Sequence, residues 1–144
     1  MTEIDADLVR RKIARISRNL DALAVVDGIA LDDYRGDLYR KKGTERLLQE
    51  TVEAAVDTNL HLLRTAGAAT PTDYYESFIS LGQAGVIPLE LAERLAPAAG
   101  LRNRLVHEYD DIDDEIVLKA VSEARQSLRE YVAEVERYVA RDAH

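Results

Sequence analysis

The chain has 144 residues, enough for one domain with a buried core. It has no cysteine, which excludes disulfides, thiolate metal sites and a cysteine nucleophile, and its three histidines leave little for a histidine-rich metal site. Seven glycines and three prolines argue against a turn-rich all-β fold, and a net charge of −8 argues against a protein that coats nucleic acid with a general basic surface.

The start, Met1-Thr2-Glu3-Ile4-Asp5, is acidic and has no signal-peptide pattern. No apolar run approaches the ~20 residues needed to span a bilayer. A cytoplasmic protein without membrane association is expected. Charge is unevenly spread. Residues 1–48 carry ten Lys/Arg and nine Asp/Glu, and residues 49–144 carry nine and eighteen. Two basic clusters stand out, Arg10-Arg11-Lys12 with Arg15 and Arg18, and Arg40-Lys41-Lys42 with Arg46. Each alone reads as a solvated helix face. Together they are candidates for holding a polyanion near a site elsewhere.

The periodicity is helical from end to end. Ile13, Ile16, Leu20 and Leu23 recur every three or four residues, one buried face of a first helix. Asp5 or Asp7 is its expected cap and Gly28 its end. Leu48, Val52, Ala55, Asn59 and Leu63 form a second stripe, predicted to run from about Thr44 to Ala66, with Thr44 as cap and Gly67 as stop. Residues 31–42 read as the first half of that helix, weakened at Gly43. Between Ala66 and Gly100, glycines and prolines break the pattern into short helices near 72–81 and 88–96. Val117, Val121, Ala124, Leu128, Tyr131, Val135 and Tyr138 alternate by four and three through a long last helix. Its opening carboxylates, Asp113, Asp114 and Glu115, suit the positive end of the helix dipole. No segment alternates with period two. The expectation is a single all-α domain over 1–144, an antiparallel bundle of four to five helices.

Residues 100–109 read Gly-Leu-Arg-Asn-Arg-Leu-Val-His-Glu-Tyr. On a helix, at roughly 100° per residue, Leu101, Leu105, Val106 and Tyr109 share an apolar arc with Arg102 inside it. A charge in such an arc needs a partner or a wet cavity. Asn103 and His107 lie one turn apart on the other side, and Arg102 and His107 are about 140° apart. From the residues alone this is a candidate polar site. Glu50, Glu53 and Asp57 share a face of the second long helix, so one of them is a candidate partner for Arg102 or His107. His61 sits among leucines and reads as structural.

The run Leu101-Arg102-Asn103-Arg104-Leu105-Val106-His107-Glu108-Tyr109 resembles the Arg-(x4–6)-His signature of the HEPN ribonucleases, and the further tyrosine resembles the HepT branch. The likeness extends over about residues 44–140. It takes in Arg46-Leu47-Leu48-Gln49-Glu50 with Glu53, Asp57 and His61, and the segment from Pro71 to Phe78. The resemblance implies a homodimer that cuts RNA without metal. Metal-free cleavage of that kind suits His107 as base and Arg102 as phosphate clamp. From its place one turn from His107, Asn103 is a candidate to orient it, Arg104 is a possible RNA contact, and Glu53 and Asp57 are possible supporting acids. The resemblance also implies a type VII-like toxin–antitoxin pair, in which a minimal nucleotidyltransferase antitoxin uses ATP to attach AMP to Tyr109. This chain itself would need no cofactor. The competing reading is a non-catalytic HEPN module that dimerises and supports a nucleotidyltransferase partner. The intact Arg102, Asn103 and His107 favour the enzyme, and the acidic balance favours the module.

Overall fold

The computed structural model describes residues 3–107 and 112–142. These form seven helices: α1 Ala6–Leu23, α2 Leu31–Arg35, α3 Leu38–Thr65, α4 Tyr74–Gln83, α5 Leu89–Leu95, α6 Pro97–His107 and α7 Asp114–Asp142. There is no strand among the described residues. The fold is the expected all-α bundle. Five helices have ten residues or more, and α2 and α5 are short connectors.

The first helix begins at Asp5, whose carboxylate accepts the Leu8 N–H at 3.1 Å. Asp7 instead pairs with Arg10. The predicted stripe Ile13, Ile16, Leu20 and Leu23 is buried. Cross-links fix the direction of packing. Asp5 and Lys12 of the α1 end meet His61 and Asp57 of α3, so these two helices are antiparallel. Asp21 and Asp27 meet Arg129 and Arg125 of α7, so α1 and α7 are antiparallel as well. By the same contacts α3 and α7 run parallel, and α1 lies against both.

The start of α3 differs from the sequence expectation. It begins at Leu38, capped by Asp37 through the Arg40 N–H at 3.1 Å, and runs through Gly43 unbroken. Thr44 is buried inside it, not at its cap. Residues 31–35 are separated from it at Gly36-Asp37. An interior glycine costs a helix about 1 kcal/mol, which burial of Thr44 and Leu48 in the next turn offsets. At the other end, Gly67 supplies the left-handed turn (φ 77°) that stops α3, as its position suggests.

A close approach fixes the α4–α5 corner. A side-chain carbon on Gly82 would lie 2.7 Å from the Ala92 Cβ, so only glycine fits there. Beneath α4 runs a buried polar chain. The Tyr131 hydroxyl on α7 donates to Asn59 Oδ1 and to the Ala55 carbonyl on α3. Asn59 Nδ2 donates to Ser77 Oγ at 3.2 Å, and the Ser77 hydroxyl donates to the Tyr74 carbonyl at 2.7 Å. The chain ties α7 and α3 to the first turn of α4, which carries a wall of the candidate site.

Candidate active site

Helix α6 carries the Arg-x4-His run and packs on α3, α4 and α5. Its only fully buried residue is Ala99. Arg102 is largely buried on it, with a side chain 16% exposed. Its charge is met by Glu53 of α3. One carboxylate oxygen, Oε2, accepts from Nε at 3.1 Å and from Nη2 at 2.5 Å. The guanidinium also lies over the Tyr74 ring, 4.8 Å from the centroid, a cation–π contact. Asp73 fixes Tyr74 at the helix start by accepting the Glu76 N–H at 2.7 Å.

This cage takes the Nε side of the guanidinium and leaves the Nη1–Nη2 end. There Nη1 makes a long 3.4 Å contact with Asn103 Oδ1. A rigid forked cation with one end open is suited to two oxygens of a phosphate.

The other predicted residues are spread around this centre. His107 lies exposed in the last turn of α6, and no hydrogen bond to it is present among the described residues. Asn103 is exposed and contacts Arg102, its neighbour, not His107. Asp57 pairs with Lys12 at 2.8 Å and Glu50 with Arg46 at 3.1 Å, so of the three acids only Glu53 reaches Arg102. Arg104 faces away from Arg102. It lines an apolar groove of about 460 Å³ with Leu101, Ile116 and Ala120, between α3, α6 and α7. Val106 and Ile116 stand 37% and 41% exposed. Tyr109 lies outside the described residues. Among those residues no group of three His, Asp or Glu side chains is placed to hold a metal ion, and no helix is long and apolar enough to cross a membrane.

His61 is buried and structural. Its Nε2 accepts the Asp5 N–H at 2.9 Å, satisfying a donor at the start of α1. Burial, and then the nearby Arg64, hold its pKa below the ordinary value.

Sequence reasoning missed Tyr74. The only local signal is its place beside the capping Asp73, and nothing in the sequence ties it to Arg102. A second cleft, about 300 Å³, shares Tyr74 and Glu53 with the cage and adds Arg15, Arg46, Glu50 and Asp57.

The fold and this motif-bearing helix define a HEPN-type helical protein. The family described as Ribonuclease HepT-like matches residues 9–135, and the chain belongs to it. It is 41% identical to the tRNA nuclease HepT of Aphanizomenon flos-aquae over 139 residues, covering 96% of this chain and 95% of that one. It is 27% identical to the mRNA nuclease HepT of Shewanella oneidensis, covering 88% and 94%. Its structure superposes with a TM-score of 0.82 on a tri-AMPylated Shewanella oneidensis HEPN toxin in complex with its MNT antitoxin. That pair is 26% identical, and the match covers 91% of this chain and 98% of the other.

Proposed function

We propose that this chain is the endoribonuclease toxin of a HEPN/minimal nucleotidyltransferase pair. It cuts RNA without a metal and works as a homodimer. The observation that carries the reading is the caged Arg102, held by Glu53 and Tyr74 with its outer N–H groups open, in a family whose relatives are named tRNA and mRNA nucleases.

In this reading the Arg102 fork binds the scissile phosphate and stabilises the charge that builds on it. Imidazole titrates near neutral pH, so His107 is suited to take the proton of the ribose 2′-hydroxyl. The 2′-oxygen forms a bond to phosphorus as the bond to the 5′-oxygen breaks, and that oxygen takes a proton from water. The products are a 2′,3′-cyclic phosphate and a 5′-hydroxyl. Glu53 is a positioning residue that fixes the guanidinium, and Asn103 shares its open end. Asp57 acts at one remove, by anchoring Lys12 at the cleft edge. Arg104 adds attraction for phosphate.

A second copy supplies what one chain lacks. Arg102 and His107 point about 140° apart on one helix, and pairing across the exposed Val106 side of α6 would let one motif complete the other. The partner antitoxin uses ATP to attach AMP to Tyr109, two residues from His107, adding bulk and negative charge where RNA must enter. This chain needs no cofactor and acts in the cytoplasm.

The test is cleavage of total RNA by the purified protein in excess chelator, beside Arg102→Ala and His107→Ala. Wild type alone should cut and leave cyclic phosphate ends, with each variant down by roughly 10²–10⁴-fold. Full activity in His107→Ala removes the catalytic assignment. No cleavage by wild type, with Tyr109 shown by mass to carry no AMP, makes the chain a binding module.

A further inference from the structure

Of the basic cluster near the start of the chain, only Lys12 and Arg15 belong to the site so far, both at the second cleft. On α1, Arg11, Arg15 and Arg18 are spaced by four and three residues, so they share one face. All three are exposed, and none has an ion-pair partner among the described residues. The acids that could neutralise this face are engaged elsewhere. Asp7 pairs with Arg10, Asp57 with Lys12, and Asp21 with Arg129 of α7. Three uncompensated arginines on one helix face run against the grain of a chain whose net charge is −8.

Their position gives them meaning. Arg15 lines the cleft that also contains Tyr74 and Glu53, the two walls of the Arg102 cage. The cleft's own acids are spent internally: Glu50 on Arg46, Glu53 on Arg102 and Asp57 on Lys12. Arg15 is the surplus cation. The face from Arg11 to Arg18 then extends over ~10 Å of helix, at 1.5 Å per residue. An extended anion with regularly spaced charges fits such a line, and a lone small anion does not use it.

We propose that the Arg11–Arg15–Arg18 face of α1, entering the cleft at Arg15, Arg46 and Tyr74, is the track that holds the single-stranded RNA flanking the scissile phosphate. This rests on the ribonuclease reading and extends it from the scissile phosphate to the strand beside it. Contacts are to phosphates, so the track carries affinity and register without base preference. It also explains how an acidic protein can hold RNA: binding is confined to one lane, and the rest of the surface repels.

The test is binding of an uncleavable 2′-O-methyl single-stranded RNA, followed by fluorescence anisotropy across a salt series. Wild type is compared with Arg15→Ala, with the triple variant Arg11→Ala/Arg15→Ala/Arg18→Ala, and with Arg141→Ala as a charge control, an exposed cation on α7 that stands beside the start of α1 but outside its arginine face. All four positions are exposed, so the fold should persist, and circular dichroism checks it. The triple variant should lose about tenfold or more in affinity. Its slope of log K on log salt should become shallower by roughly 2, about 0.7 for each lost phosphate contact. Arg15→Ala should show about a third of that change in slope, and Arg141→Ala none.

Wild-type affinity and slope in the triple variant overturn the track. So does an equal loss in Arg141→Ala, or a wild type that does not bind the RNA at all. Loss of nucleotidyltransferase binding with RNA binding intact also overturns it, assigning the face to the partner protein. Cleavage of ordinary RNA by the same samples separates the two readings. A changed slope with no wild-type cleavage, with Tyr109 shown by mass to carry no AMP, removes the catalytic reading and leaves the track. Normal cleavage with an unchanged slope removes the track alone.

Discussion

The two ends of the motif on α6 lie in opposite surroundings. Arg102 is nearly enclosed, its charge met by Glu53 and its plane covered by Tyr74. His107, five residues on, is exposed at the helix end with no hydrogen-bonded partner among the described residues. A folded chain therefore sets the Arg102 cation in place by itself and leaves His107, the proposed base, unsupported. On the proposed mechanism the two groups get their order from different sources, Arg102 from the bundle and His107 from whatever binds across α6. A guanidinium over a ring and against a carboxylate keeps its geometry without substrate, which is what electrostatic stabilisation of a developing charge needs. On the proposed reading, the exposed His107 ring gains its orientation only on assembly with a second copy.

Mixing two inactive variants tests this contrast with the largest effect. Arg102→Ala and His107→Ala should each be almost dead alone. If the base of one copy serves the arginine of the other, a heterodimer of the two variants holds one site with both groups intact. After mixing and exchange, cleavage should return to roughly a quarter of wild type, since about half the dimers are mixed and each has one of two sites. No recovery, with subunit exchange shown by labelled chains, would place both groups of a site on the same copy.

The next largest effect falls on the caged side. Glu53→Gln keeps the shape and an acceptor oxygen but loses the charge that pins Arg102. We expect kcat to fall about tenfold with little change in KM, the mark of a positioning role. Stability should fall by roughly 1 kcal/mol, since both partners are less than one third exposed. A rise in kcat would mean that Glu53 competes with the substrate phosphate and does not position the arginine for it.

Much of this organisation is legible in the sequence, and the limits are physical. The stripes on α1, α3 and α7 are readable because a helix core repeats at three and four residues wherever it lies in the chain. The requirement that Arg102 find a partner is readable from its place in an apolar arc. Which acid supplies it is not. Glu50, Glu53 and Asp57 share one helix face, and the choice depends on where α6 docks along α3, a tertiary contact with no local period. Tyr74 is hidden for the same reason. The helical continuity through Gly43 is a case of burial overriding propensity, as Thr44 and Leu48 bury beyond it. The basic run on α1 is plain in the sequence, but its meaning depends on which of its arginines are left unpaired, and only the packed bundle decides that.

Below the cage, Tyr131→Phe tests whether the buried polar chain supports the site. Burial raises the pKa of this phenol far above its ordinary value, so it stays a donor at all working pH. Removing it deprives Asn59 Oδ1 and the Ala55 carbonyl of a buried donor. The expected cost is about 1–2 kcal/mol, or roughly 3–8 °C in Tm. Because Asn59 then loosens its hold on Ser77, and Ser77 on the first turn of α4, the loss should be accompanied by a smaller fall in kcat. A drop in Tm with cleavage untouched would make the chain of hydrogen bonds purely structural.

The smallest effect is the acid dependence of stability, and it separates the structural His61 from His107, the proposed base. His61 accepts the Asp5 N–H only as a neutral ring, and burial with Arg64 beside it lowers its pKa below 6.5. The unfolded chain therefore binds the proton more readily than the folded one. Its contribution is fully present above about 6.5 and is lost as pH falls from there through the folded value. Asp27 gives a second, lower window. Hydrogen bonds from Ser122 and Arg125 hold its carboxyl below 3.8, so its contribution is lost only as pH falls below that. Denaturant melts in the range of pH 5 to 7 should show a shallow decline in wild type that is absent in His61→Gln, with the steeper loss near pH 3 to 4 unchanged. His107→Ala should leave both windows as they are, since the exposed His107 ring makes no hydrogen bond among the described residues. A decline near pH 6 that survives in His61→Gln and disappears in His107→Ala would reverse the two roles, making the exposed ring the one that the fold depends on.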